Sequence, residues 1–464
     1  MLKTAFARGG EARQRDMNPW LGVILMLTAL GAWMTVLSRF QSLAQPHPEV
    51  VRKLMHVGMG LTVLAFPWLF DDVWPVVLVI ASSLGLLATV RFVSGPRSQM
   101  GSVLGGVARK SLGEFYFAIS VAALFVLSRG QPYANILYGV PLLVLALADA
   151  VAALIGVAYG RFQYTTVDGI KSAEGSTAFF LAAFFSVHVP LLLATDVGRA
   201  ETLLIALIVG FLIMLFEAIA WRGLDNLFIP LVCFLILKIY LGPPCMDLAA
   251  LLARAAALLA LFAFLLIWRH RSTLDASGVL AAALVGYLAW ALGDWRWLVF
   301  PTALFLTYTL LSPRTEINSR RVHNVHAVVS VSAAGLIWLF LARTLNRPEL
   351  MLPYAIAFAA NLAIVGVARL RHDYPQRSPT AILVACIVKG WLILFVPFAL
   401  IAEFSPSPIA CGLTALAGVA TAALLFHATQ PGMEDCATDT PRWLRQAGSS
   451  ALGSTLGLIP LYFF

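Results

Sequence analysis

The chain has 464 residues, of which 60% are hydrophobic and only 12% charged, with a mean hydropathy of +0.86 and a formal net charge of +9. Soluble domains carry roughly 25% charged residues, so an ordinary water-soluble protein is excluded. The positive balance does not sit on a soluble basic face interleaved with aromatics, which argues against a nucleic-acid partner; in a membrane protein, basic residues mark cytoplasmic loops.

Apolar runs of about 20 residues, the length of a bilayer-crossing helix, recur along the whole chain. The spacing predicts an all-α, polytopic integral membrane protein with roughly sixteen transmembrane helices in two modules. In chain order the expected segments are 19–38, 54–70, 74–92, 112–128, 136–157, 176–195, 202–220, 226–241, 247–268, 278–292, 296–312, 325–342, 351–368, 380–402, 407–427 and 447–464. The first apolar segment follows a head of mixed charge, and no small-residue cleavage pattern precedes Arg39, so it does not read as a cleaved signal peptide. Composition breaks where Trp268-Arg269-His270-Arg271-Ser272 closes one apolar block and Asp275-Ala276-Ser277-Gly278 opens the next. The expected organisation is therefore a head and first segment (1–45), a first module (46–245), a connecting span and linker (246–274) and a second module (275–464).

One set of alternate loops carries most of the Lys and Arg, from Arg39, Arg52 and Lys53 through Arg161 and Lys171 to Arg442 and Arg445. The opposite set carries Arg129, Arg199, Arg296, Arg343 and Arg347. The positive-inside rule places the first set in the cytoplasm. Lys3, Arg8, Arg13 and Arg15 break this pattern if the first segment crosses.

Charged groups inside apolar segments are costly and mark functional sites by default. Asp149 is the first of these. On a helix it shares a stripe with Ala153, Gly156 and Gly160, small residues that permit close approach. The plainer reading pairs Asp149 with a buried Lys or Arg in a helix contact. After a polar loop comes Lys171-Ser172-Ala173-Glu174-Gly175-Ser176. Here Lys171 can neutralise a phosphate, Glu174 can hold a metal, Gly175 allows close backbone approach, and Ser176 sits at a helix start that favours an anion. Ser172 also fits a plain helix cap.

Arg52 and His56 are four apart on one helix face, with Lys53 between them; for Arg52 and Lys53 taken alone, an interfacial basic anchor is the better reading than a phosphate site. Glu114 stands four residues after Lys110 and can pair with it. Glu217 lies a turn before a short loop holding Asp225 and Asn226. All of these fall on the face that the basic loops define as cytoplasmic.

Cys233, Cys245, Cys386, Cys411 and Cys436 lack CxxC spacing and read as small apolar packers. His323 and His326 form an isolated HxxH that reads as interfacial. Lys238, Arg254 and Lys389, in or near apolar spans, can snorkel or pair. There is no GxxxxGK[ST], HExxH or GxSxG motif.

The residues resemble the membrane-integral, CTP-dependent lipid-alcohol kinases, which include phytol kinase and dolichol kinase. Arg52-Lys53-x-x-His56, Gly113-Glu114, Asp149-Ala150 through Gly156 and Gly160 to Lys171–Ser176, and Glu217 with Asp225-Asn226 and Pro230 are similar to that family's motifs over about residues 50–240. The resemblance implies transfer of the terminal phosphate of CTP, with magnesium, to an isoprenoid alcohol such as phytol, geranylgeraniol, farnesol or a polyprenol at the cytoplasmic face of a bacterial inner membrane. It implies catalytic roles for Asp149, Lys171 and Glu174. Asp149, Glu174 and Glu217 become metal candidates, and Glu114 a supporting residue. Arg52, Lys53, His56, Gly156, Gly160, Ser172, Gly175, Ser176, Asp225 and Asn226 become nucleotide contacts.

A diacylglycerol kinase shares this pattern. Phosphatidate cytidylyltransferases have a similar central motif but end in a Pro-Gly-His-Gly-Gly segment that this chain lacks. A lipid transporter would spread its polar residues through both leaflets. The second module, from Leu274-Asp275-Ala276-Ser277-Gly278 onward, resembles the family of phytyl-phosphate kinase, with Gly286, Gly293, Asn324 and His326 among the carriers. Where that family has an acidic element, this chain reads Ala359-Ala360-Asn361-Leu362-Ala363. The departure puts a second catalytic site in doubt and fits a degenerate partner or lipid-binding module.

Overall fold

A computed structural model describes residues 18–46, 48–92, 112–166, 169–220, 223–242, 247–268, 273–310, 323–402, 407–430 and 440–463. The head residues Lys3, Arg8, Arg13 and Arg15, the pairing of Glu114 with Lys110, and Cys245 and Cys436 lie outside them. The chain divides into two compact units, Met1–Ala256 and Ala257–Phe464.

The first unit runs α1 (Pro19–Ala44), α2 (Pro48–Val63), α3 (Phe66–Leu69), α4 (Val73–Phe92), α5 (Gly113–Ser128), α6 (Ala134–Tyr159), β1 (Gln163–Thr166), β2 (Gly169–Ser172), α7 (Ala173–Ala194), α8 (Arg199–Ile219), α9 (Asp225–Leu241) and the start of α10 (Leu248–Trp268). Small residues decide which helices come close. A Cβ on Gly60 of α2 would stand 2.6 Å from the Cβ of Ala146 on α6. The Tyr138 hydroxyl of α6 donates to the Val63 carbonyl of α2 at 2.8 Å, which ties the same pair about one turn further along α2.

The second unit continues with α11 (Ala276–Leu288), one π-helical turn (Ala289–Gly293), α12 (Trp295–Leu310), α13 (Val325–Leu345), α14 (Met351–Asp373), α15 (Pro379–Ile401), α16 (Pro408–Thr429), α17 (Thr440–Thr455) and α18 (Ile459–Phe463). The hub is α14, whose apolar window is 89% buried. A helix apolar on every face belongs in the middle of a bundle, and Tyr354, Phe358 and Ile364 pack there against neighbours from α12 to α16.

The protein is all-α and polytopic, as the hydropathy predicts, with three departures. Each expected apolar segment is helical over its described residues, but among those residues eleven helices are long and apolar enough to cross a membrane. Val73–Leu86 and Gly113–Ser128 are shorter apolar helices. The expected span 447–464 is instead α17, a 3-10 turn and the short α18. The reason is that Gln446, Ser449, Ser450 and Ser454 form a buried polar stripe on α17, which an averaged hydropathy hides. Finally, the expected polar loop before α7 is an antiparallel hairpin with Tyr164 opposite Lys171. Its turn has Gly169 at φ 127°, a conformation that favours glycine.

Cys233, Cys386 and Cys411 are buried free thiols, consistent with packing roles. Arg254 lies over the Tyr240 ring, 5.6 Å from its centroid, while Lys238 and Lys389 are exposed.

Candidate functional site

Five elements of the first unit bring charge together. They are the start of α2 (Arg52, Lys53, His56), the middle of α6 (Asp149), β2 (Lys171), the last turn of α8 (Glu217) and the start of α9 (Asp225, Asn226). The core of the site is two ion pairs. Lys53 Nζ donates to Asp149 Oδ1 at 2.5 Å. Lys171 Nζ donates to Glu217 Oε1 at 2.8 Å and also to the Glu217 main-chain carbonyl.

The first pair is deeply buried, with Lys53 5% and Asp149 8% exposed. It corrects the reading of Lys53 as an interfacial anchor: the lysine turns inward because Asp149 is its partner across the α2–α6 contact. The plainer reading of Asp149, a carboxylate paired with a buried base, is the arrangement present. Removing one partner of such a pair costs far more than the pair contributes, because a naked buried charge remains.

The groups form one electrostatic cluster. Lys53, His56 and Arg52 act on Asp149, and Asp149, Lys53 and Lys171 act on Asp225. His56 is buried with its ring 5.1 Å from that of Phe117 on α5. Its Nε2 has no hydrogen-bond partner among the described residues. Glu114, in the first turn of α5, is half-buried. Asn226 is buried and its N–H donates to Asp225 Oδ1 at 3.0 Å. Burial works against the Lys171 ammonium, yet the Glu217 carboxylate beside it, which also accepts its hydrogen bond, lifts Lys171 above the ordinary lysine value.

The other predicted site residues form the anchor that aims Lys171. Ser172 caps α7, its Oγ accepting from Gly175 N at 3.1 Å. The N–H of Phe162 lies 3.2 Å from each carboxylate oxygen of Glu174, and Ala173 N donates to the Phe162 carbonyl at 2.9 Å, so the hairpin base is tied in both directions. Ser176 Oγ and the Tyr164 hydroxyl are 2.6 Å apart. Gly156, Gly160 and Gly175 pack the end of α6 against the start of α7. A Cβ on Gly175 would stand 3.3 Å from Gly156 Cα, and one on Gly160 would stand 2.8 Å from Ser172 Cβ. Glu174 therefore faces the hairpin, while Asp149 and Glu217 face lysines.

Tyr164 escaped the sequence reading. Burial pushes its phenol up, and it neighbours both Lys171 and Glu217. The signal was present: Asp168-Gly169 between two short β-prone runs marks a hairpin turn.

Among the described residues no three His, Cys, Asp or Glu side chains come together as a metal-ligand set. This donor arrangement still suits magnesium, which is commonly bound through one or two carboxylates plus substrate phosphates. Asp149 and Asp225 are close enough to feel each other's charge.

A bundle of membrane-type helices in which two Lys–carboxylate pairs come together defines a class: a polytopic membrane protein with a charged cluster inside its helix bundle. A phytol kinase of Synechocystis sp. is 32% identical to the chain over 214 residues, which are 46% of this chain and 88% of that relative. The chain belongs to the phytol-kinase-like family of lipid-alcohol kinases. No family profile matches it, and no solved structure matches it.

Proposed function

We propose that the protein transfers the terminal phosphate of CTP to the hydroxyl of a long-chain isoprenoid alcohol, at the cytoplasmic face of a bacterial inner membrane. The observation that carries this is the pairing of each site lysine with its own carboxylate. Ions facing a low-dielectric interior must be compensated. A magnesium nucleotide offers both signs at once, so both members of each pair gain a new partner when it binds. The choice of CTP rests on the resemblance of the motifs between Arg52 and Pro230, and the choice of isoprenoid on the phytol kinase relative.

In this reading Lys171 and Lys53 take phosphate oxygens, with Arg52 adding positive charge. Asp149, together with Asp225 or Glu217, holds magnesium, which when bound neutralises phosphate charge. Phosphoryl transfer asks the protein mainly for positioning and charge compensation, and the hairpin supplies the positioning of Lys171. The alcohol proton needs an acceptor within hydrogen-bond reach; Asp149 and the free Nε2 of His56 are the two groups suited to it. Glu174, Gly156, Gly160, Ser172, Gly175 and Ser176 act through the hairpin rather than by touching the reacting atoms.

The test is incubation of membranes with γ-labelled CTP or ATP, magnesium and a panel of prenols. Labelled lipid monophosphate with CTP is expected. Label released only as pyrophosphate would identify a cytidylyltransferase, and no labelled lipid with any alcohol would overturn the proposal.

A further inference from the structure

The second unit contains a half-enclosed cavity of about 160 Å³. Its wall is largely apolar, with Leu261, Phe305 and Phe358 among the lining residues, and Arg442 and Gln446 of α17 also contribute. Arg442 is buried, with its guanidinium 5.0 Å from the centroid of the Trp443 ring.

Gln446 is fully buried, and its amide orientation is set by its neighbours. Asn361 Nδ2 is surrounded by three acceptors, Val331 O and Ala357 O at 2.9 Å and Ser450 Oγ at 2.8 Å. Asn361 must therefore present Oδ1 to Gln446, and it accepts from Gln446 Nε2 at 3.0 Å. The oxygen of Gln446 is left over, and Oε1 has no hydrogen-bond partner among the described residues. A buried acceptor without a donor is costly and calls for an explanation. Here it belongs to a residue on the wall of a greasy cavity.

The geometry points to a second lipid-binding site, in which the cavity takes the hydroxyl end of an aliphatic alcohol. With a turn of the Gln446 amide toward the cavity, the hydroxyl donates to Oε1 and accepts from Arg442. A dry apolar cavity of roughly 150 Å³ holds a benzene-sized group, so this one holds about one isoprene unit and the rest of the chain leaves through the open side. The identity of the lipid rests on the proposed function; the existence of the site does not.

The experiment uses the full chain in lipid nanodiscs, without nucleotide, and a long-chain alcohol carrying a diazirine next to its hydroxyl. Irradiation followed by peptide mapping is expected to place label on residues lining the cavity. Unlabelled alcohol should compete at least about tenfold better than its methyl ether, which has no proton to donate. Gln446→Leu should bring the two competitors within about twofold of each other. Val328→Phe, which fills the cavity without touching the amide network, should abolish labelling and covers the case in which Gln446→Leu fails to fold. Absence of label in 257–464, equal competition by the ether, or stronger competition by the phosphate monoester of the same chain would each overturn the site. Lys171→Ala should leave labelling intact. A chain that labels but phosphorylates no lipid would refute the kinase reading alone.

Discussion

In the first unit the most buried side-chain-to-side-chain hydrogen bond among the described residues is ionic, Lys53 with Asp149. In the second unit the deepest polar groups are neutral. Asn361, Gln446, Ser450 and Ser454 are all fully buried, strung across α14 and α17, and Trp338 of α13 donates to Ser454 at 2.8 Å. Neutral amides and hydroxyls between helices hold a bundle together at little cost. Buried charge is a poor adhesive, since its desolvation offsets most of its attraction. The difference separates a unit that keeps opposite charges paired between its helices from one seamed by neutral hydrogen bonds. It also accounts for the two polar motifs at the start of the second unit. Asp275 Oδ1 caps α11 by accepting from Gly278 N at 2.8 Å, Asn324 caps α13, and Ser277 Oγ accepts from Val325 N at 3.2 Å, so together they tie two helix starts.

The largest expected effect breaks the ionic side of that comparison. Asp149→Asn should lower lipid phosphorylation by at least about 10²–10³-fold. It should also destabilise the protein by about 3–5 kcal/mol, because Lys53 is left buried and unpaired. The double variant Lys53→Met/Asp149→Leu removes both charges and should recover most of that stability while remaining inactive. Thermal unfolding in detergent alongside the labelled-nucleotide assay separates the two effects. An active double variant would reduce the pair to packing.

Lys171→Ala should cost a comparable factor in activity but only about 1 kcal/mol in stability, since this pair is partly open to solvent. The pH dependence follows from Glu217. Because Lys171 is lifted above the ordinary lysine value, the stability it contributes is fully present below that value and is lost as pH rises through the lifted one. An alkaline loss of stability that begins at the ordinary lysine value and is complete above the lifted one is expected in the wild-type chain and should be absent from Lys171→Ala.

On the neutral side, Asn361→Ala should destabilise by about 1–3 kcal/mol by stripping Gln446 Nε2 and Ser450 of a partner. Turnover at saturating lipid should be unchanged in the folded protein. A fall in turnover equal to that of Lys171→Ala would mean that the seam serves the chemistry directly.

How much of this was legible in the sequence follows the same division. Charges in an apolar chain stand out, so Asp149, Lys171, Glu217 and Asp225 are legible as candidates from the sequence. What spacing could not show was pairing: nothing local says that Lys53 meets a carboxylate 96 positions away. The hairpin was legible in principle from Asp168-Gly169, but its strands are only four residues each, too short for period-two alternation to stand against the neighbouring helices. The polar stripe of α17 was hidden because Ser and Gln depress a hydropathy average only mildly. Asn361 stands where the resemblance implies an acidic pair, and its hydrogen bonds give it a structural role.

The smallest effects come from glycines of the second unit and sharpen what its packing demands. Gly453 of α17 crosses Gly418 of α16 so closely that an added Cβ would stand 2.4 Å from the Gly418 carbonyl oxygen. Backbone cannot yield there, and Gly453→Ala should destabilise by about 1–3 kcal/mol. Gly448 lies five residues earlier on the same helix, exposed, with nothing within 4 Å of an added Cβ. Alanine there only relieves the entropy that glycine loses in a helix, so Gly448→Ala should stabilise by about 0.5–1 kcal/mol and raise the melting temperature by about 1–4 °C. Opposite signs at these two positions are what a helix seated through one polar, glycine-notched face requires. Destabilisation at both would mean that the exposed face of α17 is also covered, by lipid or by a partner that needs glycine's lack of a side chain.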